Sequence, residues 1–360
     1  MLDLLKSIIG TRDKTVGLVT SSNLLFSLAN LLSGFLVAKW LLPEELGQFN
    51  VLSIFTSYII LVQIGIPSGL SREFPFFWGK REREKAVEVA ETAKFYMLYL
   101  SLLILLVTFI VGIYYYAIEE LNKYAIGSIV VGITCFQSLY VNKYLKILYK
   151  SENEFIKLSH IKFISVIINL SSLILVYKFQ FYGLCLRAIL VTIFDFYFTN
   201  KWKPIAVSVK FRFKTIKELI VTGMPIYSVA SIIGLWPTVQ RTLIVSYLGT
   251  KGLGLYTLSI VLQNLLNTFN SSISNVSFPL MSKAYGKGAS LLDLLKIPGR
   301  YFIISVIVYS IGATVGWYLI PIIVANYLPE YAEGIEAAQW MLLVSVVSSF
   351  SIFSNIYMVI

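Results

Sequence analysis

Charged side chains interrupt stretches of this chain that are otherwise apolar. Arg241 lies in WPTVQRTLIVSYLGTKGLGLY, which runs from Trp236 to Tyr256, and Arg187 and Asp195 lie together in an earlier apolar stretch. A charge inside a membrane costs about 2.5–3.5 kcal/mol on insertion scales and usually faces a protein interior or a water-filled cavity. Because arginine presents a planar fork of donors that fits phosphate oxygens, these positions suggest binding of an anion.

Four cations are candidates for that site: Arg241, Arg187, Arg72 and Lys39. Arg241 is about eight residues below a predicted outer turn, roughly 12 Å at 1.5 Å per residue. Arg187 has a similar depth, Arg72 closes a predicted span on the inside, and Lys39 is close enough to the surface for its amine to reach it. Asp195 is the deep carboxylate and the candidate for ion coupling. In the alternative interpretation, Arg187 and Asp195 form ion pairs with neighbouring helices.

Polar residues also recur at helical spacing within two apolar stretches. Asn23, Ser27 and Asn30 share one helical face, and Gln263, Asn267 and Asn270 share another. Such stripes could line a hydrated cavity that binds sugar hydroxyls, or they could be hydrogen bonds between packed helices. The density of amides in the second stripe favours the cavity there, whereas the first stripe leaves both interpretations open.

The composition requires a membrane around most of the chain. Of 360 residues, 57% are hydrophobic and 14% are charged, against about 25% charged in an average soluble domain. The net charge of +11 could indicate nucleic acid, but the basic residues cluster in short loops, where they indicate topology instead. We therefore predict an all-α integral membrane protein with the lipid bilayer, and no nucleic acid, as a partner.

Ten segments are long and apolar enough to span a bilayer, which takes about 20 residues each. They are 16–41, 47–70, 93–116, 124–148, 160–179, 181–199, 218–247, 253–280, 301–324 and 336–358. Short connections rich in Pro or Gly predict helical hairpins after the first, fifth and seventh spans. Within the seventh span, Pro225 and Pro237 each remove a backbone hydrogen bond, which predicts a bent, cavity-lining helix.

The loop charges fall on two sides. One side holds nearly all the Lys and Arg, including residues 72–94, Lys143, Lys146 and residues 201–217, while the opposite loops hold Glu44, Glu45, Glu119 and Glu120. Because cytoplasmic loops are enriched in Lys and Arg, we predict a multi-pass protein of a bacterial or archaeal cytoplasmic membrane with its N-terminus inside.

Two stretches of the chain are alike. VAKWLLPEELGQFNVL from Val37 resembles IVSYLGTKGLGLYTLS from Ile244, and six predicted spans separate them. An even number of spans gives parallel repeats, as in transporters that bind substrate between two halves. We predict a six-helix bundle over 1–205 and a second bundle over 206–360. On this repeat model the second bundle should also have six helices, and four are present. We therefore expect a truncated twelve-helix protein.

Several kinds of chemistry find no support in the sequence. AYGKGAS lacks the spacing of a phosphate-binding GxxxxGK[ST] loop, His160 has no Cys/His cluster around it for a metal, and Cys135 and Cys185 are expected to be free thiols. No soluble segment approaches the size of a domain. We therefore predict no cofactor, no metal and no enzymatic activity.

The stretch from Gln240 to Tyr256 resembles the Wzx-type polysaccharide-biosynthesis flippases of the MATE-like flippase superfamily. The resemblance is carried by Arg241, Gly249 and GLY at 254–256, with LLPEELGQFNVL from Leu41 and GLSREFPFF from Gly69 in the first half. Gln240 stands where the family usually has an acid, so Arg241 lacks that partner.

The resemblance implies that the protein moves a polyprenyl-pyrophosphate-linked oligosaccharide from the inner to the outer leaflet by alternating access, for export of a surface polysaccharide such as O-antigen. It also implies a polysaccharide polymerase or glycosyltransferases as partners. The alternatives are a cation-coupled multidrug exporter of the same superfamily and a membrane glycosyltransferase or polymerase. The former calls for buried carboxylates, and the latter for a large outer loop.

Overall fold

A computed structural model describes residues 14–118, 122–152, 154–264, 281 and 290–350, and the described secondary structure is helical with no strand. Seven of its helical segments are long and apolar enough to cross a membrane. Large apolar side chains point outward along them, as at Leu106, Phe109 and Ile110, each more than half exposed. Water would penalise such a surface, whereas lipid solvates it. The predicted all-α membrane architecture is confirmed.

The helices named below are numbered in chain order within the described residues. They are α1 (Lys14–Trp40), α2 (Pro43–Tyr58), α3 (Ile66–Gly79), α4 (Arg83–Ala117), α5 (Asn122–Phe136), α6 (Lys146–Ser151), α7 (Phe155–Ser171), α8 (Leu173–Lys201), α9 (Phe213–Leu255), α10 (Leu291–Tyr327) and α11 (Ile335–Ser348). Residues 257–264 are also helical. The rest of the eighth predicted span and the end of the tenth lie outside the described residues.

The predicted hairpin connections coincide with interruptions of helical geometry. Trp40 ends α1 and Pro43 begins α2. Gln180, with φ 48° and ψ −120°, divides α8 between the fifth and sixth predicted spans, and Gly249, with φ 67°, interrupts α9 at the seventh-span turn. A positive φ costs a glycine little because it has no Cβ.

The second predicted span is broken, which the sequence analysis did not anticipate. After α2 the chain forms a 3-10 turn over Ile59–Gln63, and Ile64 and Gly65 then adopt left-handed φ values of 39° and 78°. Pro67 lies in the first turn of α3, where its missing N–H costs nothing. The span is therefore two helices joined by a short irregular segment.

The fourth predicted span contains a different irregularity. Between α5 and α6 the chain forms a nine-residue π-helix, Gln137–Leu145. Its apolar face, with Leu139, Tyr140 and Tyr144, packs into the main hydrophobic core together with residues of α3 and α4. Isolated π-turns are rare and often lie at functional sites, and this one is longer than the usual single turn.

Contacts divide the chain into two compact units. The first comprises the described residues of Met1–Ser33 and Gln48–Thr250, and the second those of Gly34–Gly47 and Lys251–Ile360. The bundles predicted from the repeat, 1–205 and 206–360, have different boundaries, because most of α9 groups with the first unit and the end of α1 with the second. The two-bundle division stays a prediction.

Within the second unit, the two similar stretches of sequence pack against each other at their turns. A Cβ on Gly254 would lie 1.6 Å from the carbonyl oxygen of Pro43, so only glycine allows this approach. The hydroxyl of Tyr331 donates to the carbonyl oxygen of Leu41 at 3.1 Å, and Lys251 forms an ion pair with Glu333 at 2.9 Å.

Candidate functional site

A polar cavity of about 360 Å³ lies within the first unit. Its walls come from α2, the 3-10 turn after it, the π-helix and α9. The lining residues are Thr56, Ser57, Ile59, Ile60, Gln63, Ser138, Lys143, Gly234, Pro237, Thr238 and Arg241.

Positive charge and neutral polar groups characterise this cavity. Arg241 and Lys143 are cationic, and of the lining residues that the structure describes none is acidic. Hydroxyls and the buried amide of Gln63, 4% exposed, supply neutral hydrogen-bonding groups. A guanidinium and an ammonium that line one cavity attract a multiply charged anion. The cavity therefore suits a phosphate-type group, with hydroxyl-bearing groups beside it.

Helix α9 presents Arg241 to the cavity through a locally constrained turn. Gly234, Pro237 and Thr238 line the same wall at helical spacing. Proline at 237 removes one N–H and so frees the carbonyl of Ile233 from its intrahelical bond. One residue past the arginine, the hydroxyls of Thr242 and Tyr58 are 3.0 Å apart, which ties α9 to α2.

Tyrosine hydroxyls satisfy the backbone of the broken second span. Tyr227 of α9 donates to the carbonyl oxygens of Ile60 and Leu61 at 2.9 and 3.1 Å. Tyr96 of α4 donates to the next carbonyl, that of Val62, at 2.7 Å. Irregular backbone at membrane depth requires such partners or a water-filled cavity. The break is thereby stabilised by its neighbours on one side and lines the cavity on the other.

Asp195 of α8 contacts the π-helix, is 6% exposed and is not among the residues that line the cavity. Its Oδ2 accepts from Lys146 Nζ at 2.9 Å and from Gln137 Nε2 at 3.0 Å. Thr192 donates to Gln137 Oε1 at 2.9 Å, and Thr199 approaches Asp195 Oδ1 at 3.5 Å. Lys146, which the loop charges predict to be on the cytoplasmic side, begins α6 and forms an ion pair with this deep carboxylate.

Arg187 occupies a different place from Arg241. Its Nη2 donates to Ser33 Oγ of α1 and to Asn169 Oδ1 of α7, and it is not among the residues that line the cavity. The alternative interpretation expected Arg187 to form ion pairs with neighbouring helices. Arg187 does bond to two neighbouring helices, but these two partners are neutral side chains. Its predicted role in pyrophosphate binding remains a prediction.

The polar stripe of α1 joins that helix to α7. Lys162 Nζ donates to Asn23 Oδ1, and Asn169 Nδ2 donates to Asn30 Oδ1 at 3.4 Å. The pairs lie seven residues apart on both helices, so the contacts repeat after two turns. These bonds favour the packing interpretation that the sequence left open for this stripe, and glycan contact stays a prediction there.

The other predicted site residues lie elsewhere. Lys39 belongs to the second unit, where its amine lies 5.8 Å from the ring centroid of Tyr327. Arg72 is exposed on α3, and Gln263 is half-buried in the helical segment 257–264. Asn267 and Asn270 lie outside the described residues.

Sequence reasoning missed Lys143, Ser138, Gln63 and Thr56 as cavity residues. Lys143 lies five residues before the end of its predicted span and was interpreted as a topology signal. Gly65 and Pro67 in the stretch QIGIPSG were the available sign of a break next to Gln63, because glycine and proline interrupt helices. No residue pattern marked the π-helix that carries Ser138 and Lys143.

Comparison with known proteins adds a family match and similar folds. Residues 36–296, most of the chain, match the model of a family described as polysaccharide biosynthesis protein. No curated protein matches the sequence significantly.

Several solved transporters resemble the fold. An inward-facing multidrug resistance transporter of the MATE family and MOP superfamily aligns at TM-score 0.65 and 15% identity, over 96% of this chain and 86% of its own. A MOP superfamily transporter from Pyrococcus furiosus, described as having a binding pocket of reversed polarity, aligns at 0.59 and 15%, over 96% and 82%. An outward-facing MATE transporter aligns at 0.54 and 16%, over 97% and 83%. At these identities the likeness establishes the fold and leaves the substrate open.

Proposed function

Because this chain belongs to the family of polysaccharide biosynthesis proteins, we propose that it moves a polyprenyl-pyrophosphate-linked oligosaccharide across the membrane. The chain is a multi-pass membrane protein with the fold of the MATE and MOP transporters. The proposed direction is from the inner to the outer leaflet, by alternating access, for export of a cell-surface polysaccharide.

The cationic cavity is the observation that carries this proposal. A pyrophosphate brings at least two negative charges, and Arg241 and Lys143 line one cavity whose described lining residues include no Asp or Glu. The threonine and serine hydroxyls and the Gln63 amide are groups that hydrogen-bond sugar hydroxyls. A lipid tail would stay in the bilayer, against apolar helix surfaces of the kind seen along α4.

The membrane disposition is part of the proposal. An N-terminus on the cytoplasmic side of a bacterial or archaeal cytoplasmic membrane follows from the loop charges. The proposed partners are the lipid-linked oligosaccharide and the polymerase or glycosyltransferases that make or use it.

The other residues predicted from the sequence have proposed roles as well. Arg187, Arg72 and Lys39 would contact the pyrophosphate at other stages of its passage, when the substrate leaves the Arg241 cavity. The proposed glycan contacts are Asn23, Asn30, Gln263, Asn267 and Asn270. Asp195 is the residue that the sequence offers for coupling transport to an ion gradient, and it forms an ion pair with Lys146.

A multidrug exporter is the second candidate, because two of the similar folds are multidrug resistance transporters. Cationic drugs require carboxylates in the binding site, and the described lining of this cavity has the opposite charge. The transporter from Pyrococcus furiosus, whose pocket polarity is described as reversed and as suggesting a different function, offers a precedent for such a change within the fold. A glycosyltransferase or polymerase, the third candidate, has no observation in its favour.

Surface glycan in a host strain that lacks the gene tests the proposal. Arg241→Met and Lys143→Met should each lower surface glycan about tenfold, equivalent to about 1.4 kcal/mol of lost binding, and the double variant should abolish it. Lys178→Met, which removes an exposed cation from α8, is the matched control and should complement fully. All variants are compared at equal membrane levels. Full complementation by the double variant would refute the role of the cavity.

A further inference from the structure

The π-helix Gln137–Leu145 changes which residues share a face. An α-helix has 3.6 residues per turn, whereas a π-helix, hydrogen-bonded from i to i+5, has roughly 4.4. The final bond of this type joins the N–H of Lys146 to the carbonyl oxygen of Val141. Residues five apart therefore point within about 50° of each other in this segment.

On the cavity side, this geometry brings together two lining residues. Ser138 and Lys143 are five residues apart, and both face the cavity. In an uninterrupted α-helix they would point about 140° apart, at 100° per residue. The lysine therefore reaches the cavity together with Ser138 because the segment is wound as a π-helix.

On a second face of the segment, the same geometry lets one carboxylate bind both ends. Gln137 and Lys146 are nine residues apart, which is 2.5 turns of an α-helix and would place them on opposite faces. In a π-helix nine residues make about two turns. Both side chains accordingly reach Asp195 Oδ2, at 3.0 and 2.9 Å.

Further bonds hold this attachment in place. Thr192 donates to the amide oxygen of Gln137 at 2.9 Å, which orients the amide nitrogen toward Asp195. Lys146 also donates to Asn142 Oδ1 at 2.8 Å, within the π-helix itself. The charge of Lys146 is thus engaged by the carboxylate, while the lysine three residues earlier extends into the cavity.

We propose that Asp195 is a positioning residue for the anion site. Its carboxylate holds Gln137 and Lys146 on one face, stabilises the π-helical winding between them and so keeps Lys143 in the cavity. This inference rests on the proposed function for its biological meaning, but its geometric content is independent of the substrate. In this role Asp195 accepts hydrogen bonds, and an asparagine can do this in part. An asparagine cannot couple transport to an ion, so the two roles can be distinguished.

The test measures where residue 143 points. Lys143→Cys is labelled with an anionic, membrane-impermeant methanethiosulfonate, and the rate is followed by mass spectrometry. Cys135 and Cys185 are buried and give the background. Adding Asp195→Ala should change the rate at least about fivefold, the ratio expected for loss of one hydrogen bond, whereas Asp195→Asn should keep it within about twofold.

Thr238→Cys is the matched control, because Thr238 lines the same cavity from α9. Its labelling should be unchanged by either substitution at Asp195. If Asp195→Ala does not fold, Gln137→Ala removes one of the two attachments and should shift Lys143→Cys labelling in the same direction. Unchanged labelling in every folded variant would overturn the proposal, as would equal changes at Thr238→Cys.

Complementation separates positioning from ion coupling. A chain with Asp195→Asn should retain most of the surface glycan if Asp195 positions Lys143. Loss of surface glycan in Asp195→Asn with unchanged labelling of Lys143→Cys would overturn the positioning role. Because labelling requires no substrate, failure of the proposed function would leave the labelling result intact, and the two failures are distinguishable.

Discussion

Two arginines that look equivalent in the sequence have different surroundings in the structure. Arg241 and Arg187 both interrupt apolar helices at similar predicted depth. Arg241 lines the cavity, whereas Arg187 donates to Ser33 and Asn169 on two neighbouring helices. The cost of placing a charge in the membrane is offset by a cavity in one case and by neutral acceptors in the other. Arg241 is therefore placed in the cavity, whereas Arg187 joins two helices and its binding of pyrophosphate stays a prediction.

Arg187→Met should reduce stability. The substitution removes the donor to buried Ser33 and to half-buried Asn169, and a buried group left unsatisfied costs about 1–3 kcal/mol. Thermal unfolding in detergent should therefore show a lowered midpoint. Arg72→Met, at an exposed position on α3, should stay within about 0.5 kcal/mol of wild type. An equal midpoint for both variants would contradict the assigned contacts of Arg187.

Residue types were therefore easier to predict than residue facing. Intramembrane charge marked Arg241 as a site residue, because only a cavity or a partner can accommodate it. Lys143 escaped notice because its facing depends on the π-helix, which no sequence pattern announces. Asp195 was identified as a deep carboxylate, but its partner Lys146 appeared to belong to a loop. In both cases the type of helix determines where the side chain points.

At the level of elements, the sequence predicts connections better than interruptions. Pro43, Gln180 and Gly249 mark observed boundaries at the expected hairpins. The break at Ile64 and Gly65 falls inside a predicted span that has no charged residue, so hydropathy could not detect it. Its backbone is satisfied by Tyr227 and Tyr96, which come from helices distant in sequence. Such tertiary partners cannot be predicted from the local pattern of residues.

The close packing of α9 against the broken second span can be tested directly. A Cβ on Gly223 would lie 2.1 Å from the carbonyl oxygen of Gly65 and 2.5 Å from the backbone nitrogen of Gly69. Because backbone cannot yield as a side chain can, Gly223→Ala should destabilise the protein by about 1–3 kcal/mol or more. The measurement is the unfolding midpoint in detergent.

Gly234→Ala is the matched control on the same helix. The nearest atom to its added Cβ is the flexible end of Ile60, at 3.3 Å, and alanine is a better helix former by about 0.8–1.0 kcal/mol. This variant should be as stable as wild type or slightly more so. A Gly223→Ala protein as stable as Gly234→Ala would show that α9 does not cross the break so closely.

At the scale of the whole molecule, composition and loop charge predict a multi-pass membrane protein, and the family match and the fold agree with this prediction. The division into compact units was not foreseen, because contacts distribute α1 and α9 differently from the sequence repeat. The two similar stretches of sequence meet where Gly254 contacts Pro43, and the repeat stays a prediction. Sequence thus gives the membrane architecture, while the grouping of helices depends on packing that hydropathy does not encode.

The most direct measurement is the leaflet distribution of the lipid-linked glycan. Spheroplasts with and without the protein are treated with a membrane-impermeant reagent that modifies sugars, and the modified fraction of the lipid-linked pool is quantified. Removal of the protein should reduce this outer-leaflet fraction to background while the total pool persists. Wild type should restore it, and the double variant Arg241→Met with Lys143→Met should not. An outer-leaflet fraction that is the same with and without the protein would contradict the proposed transport.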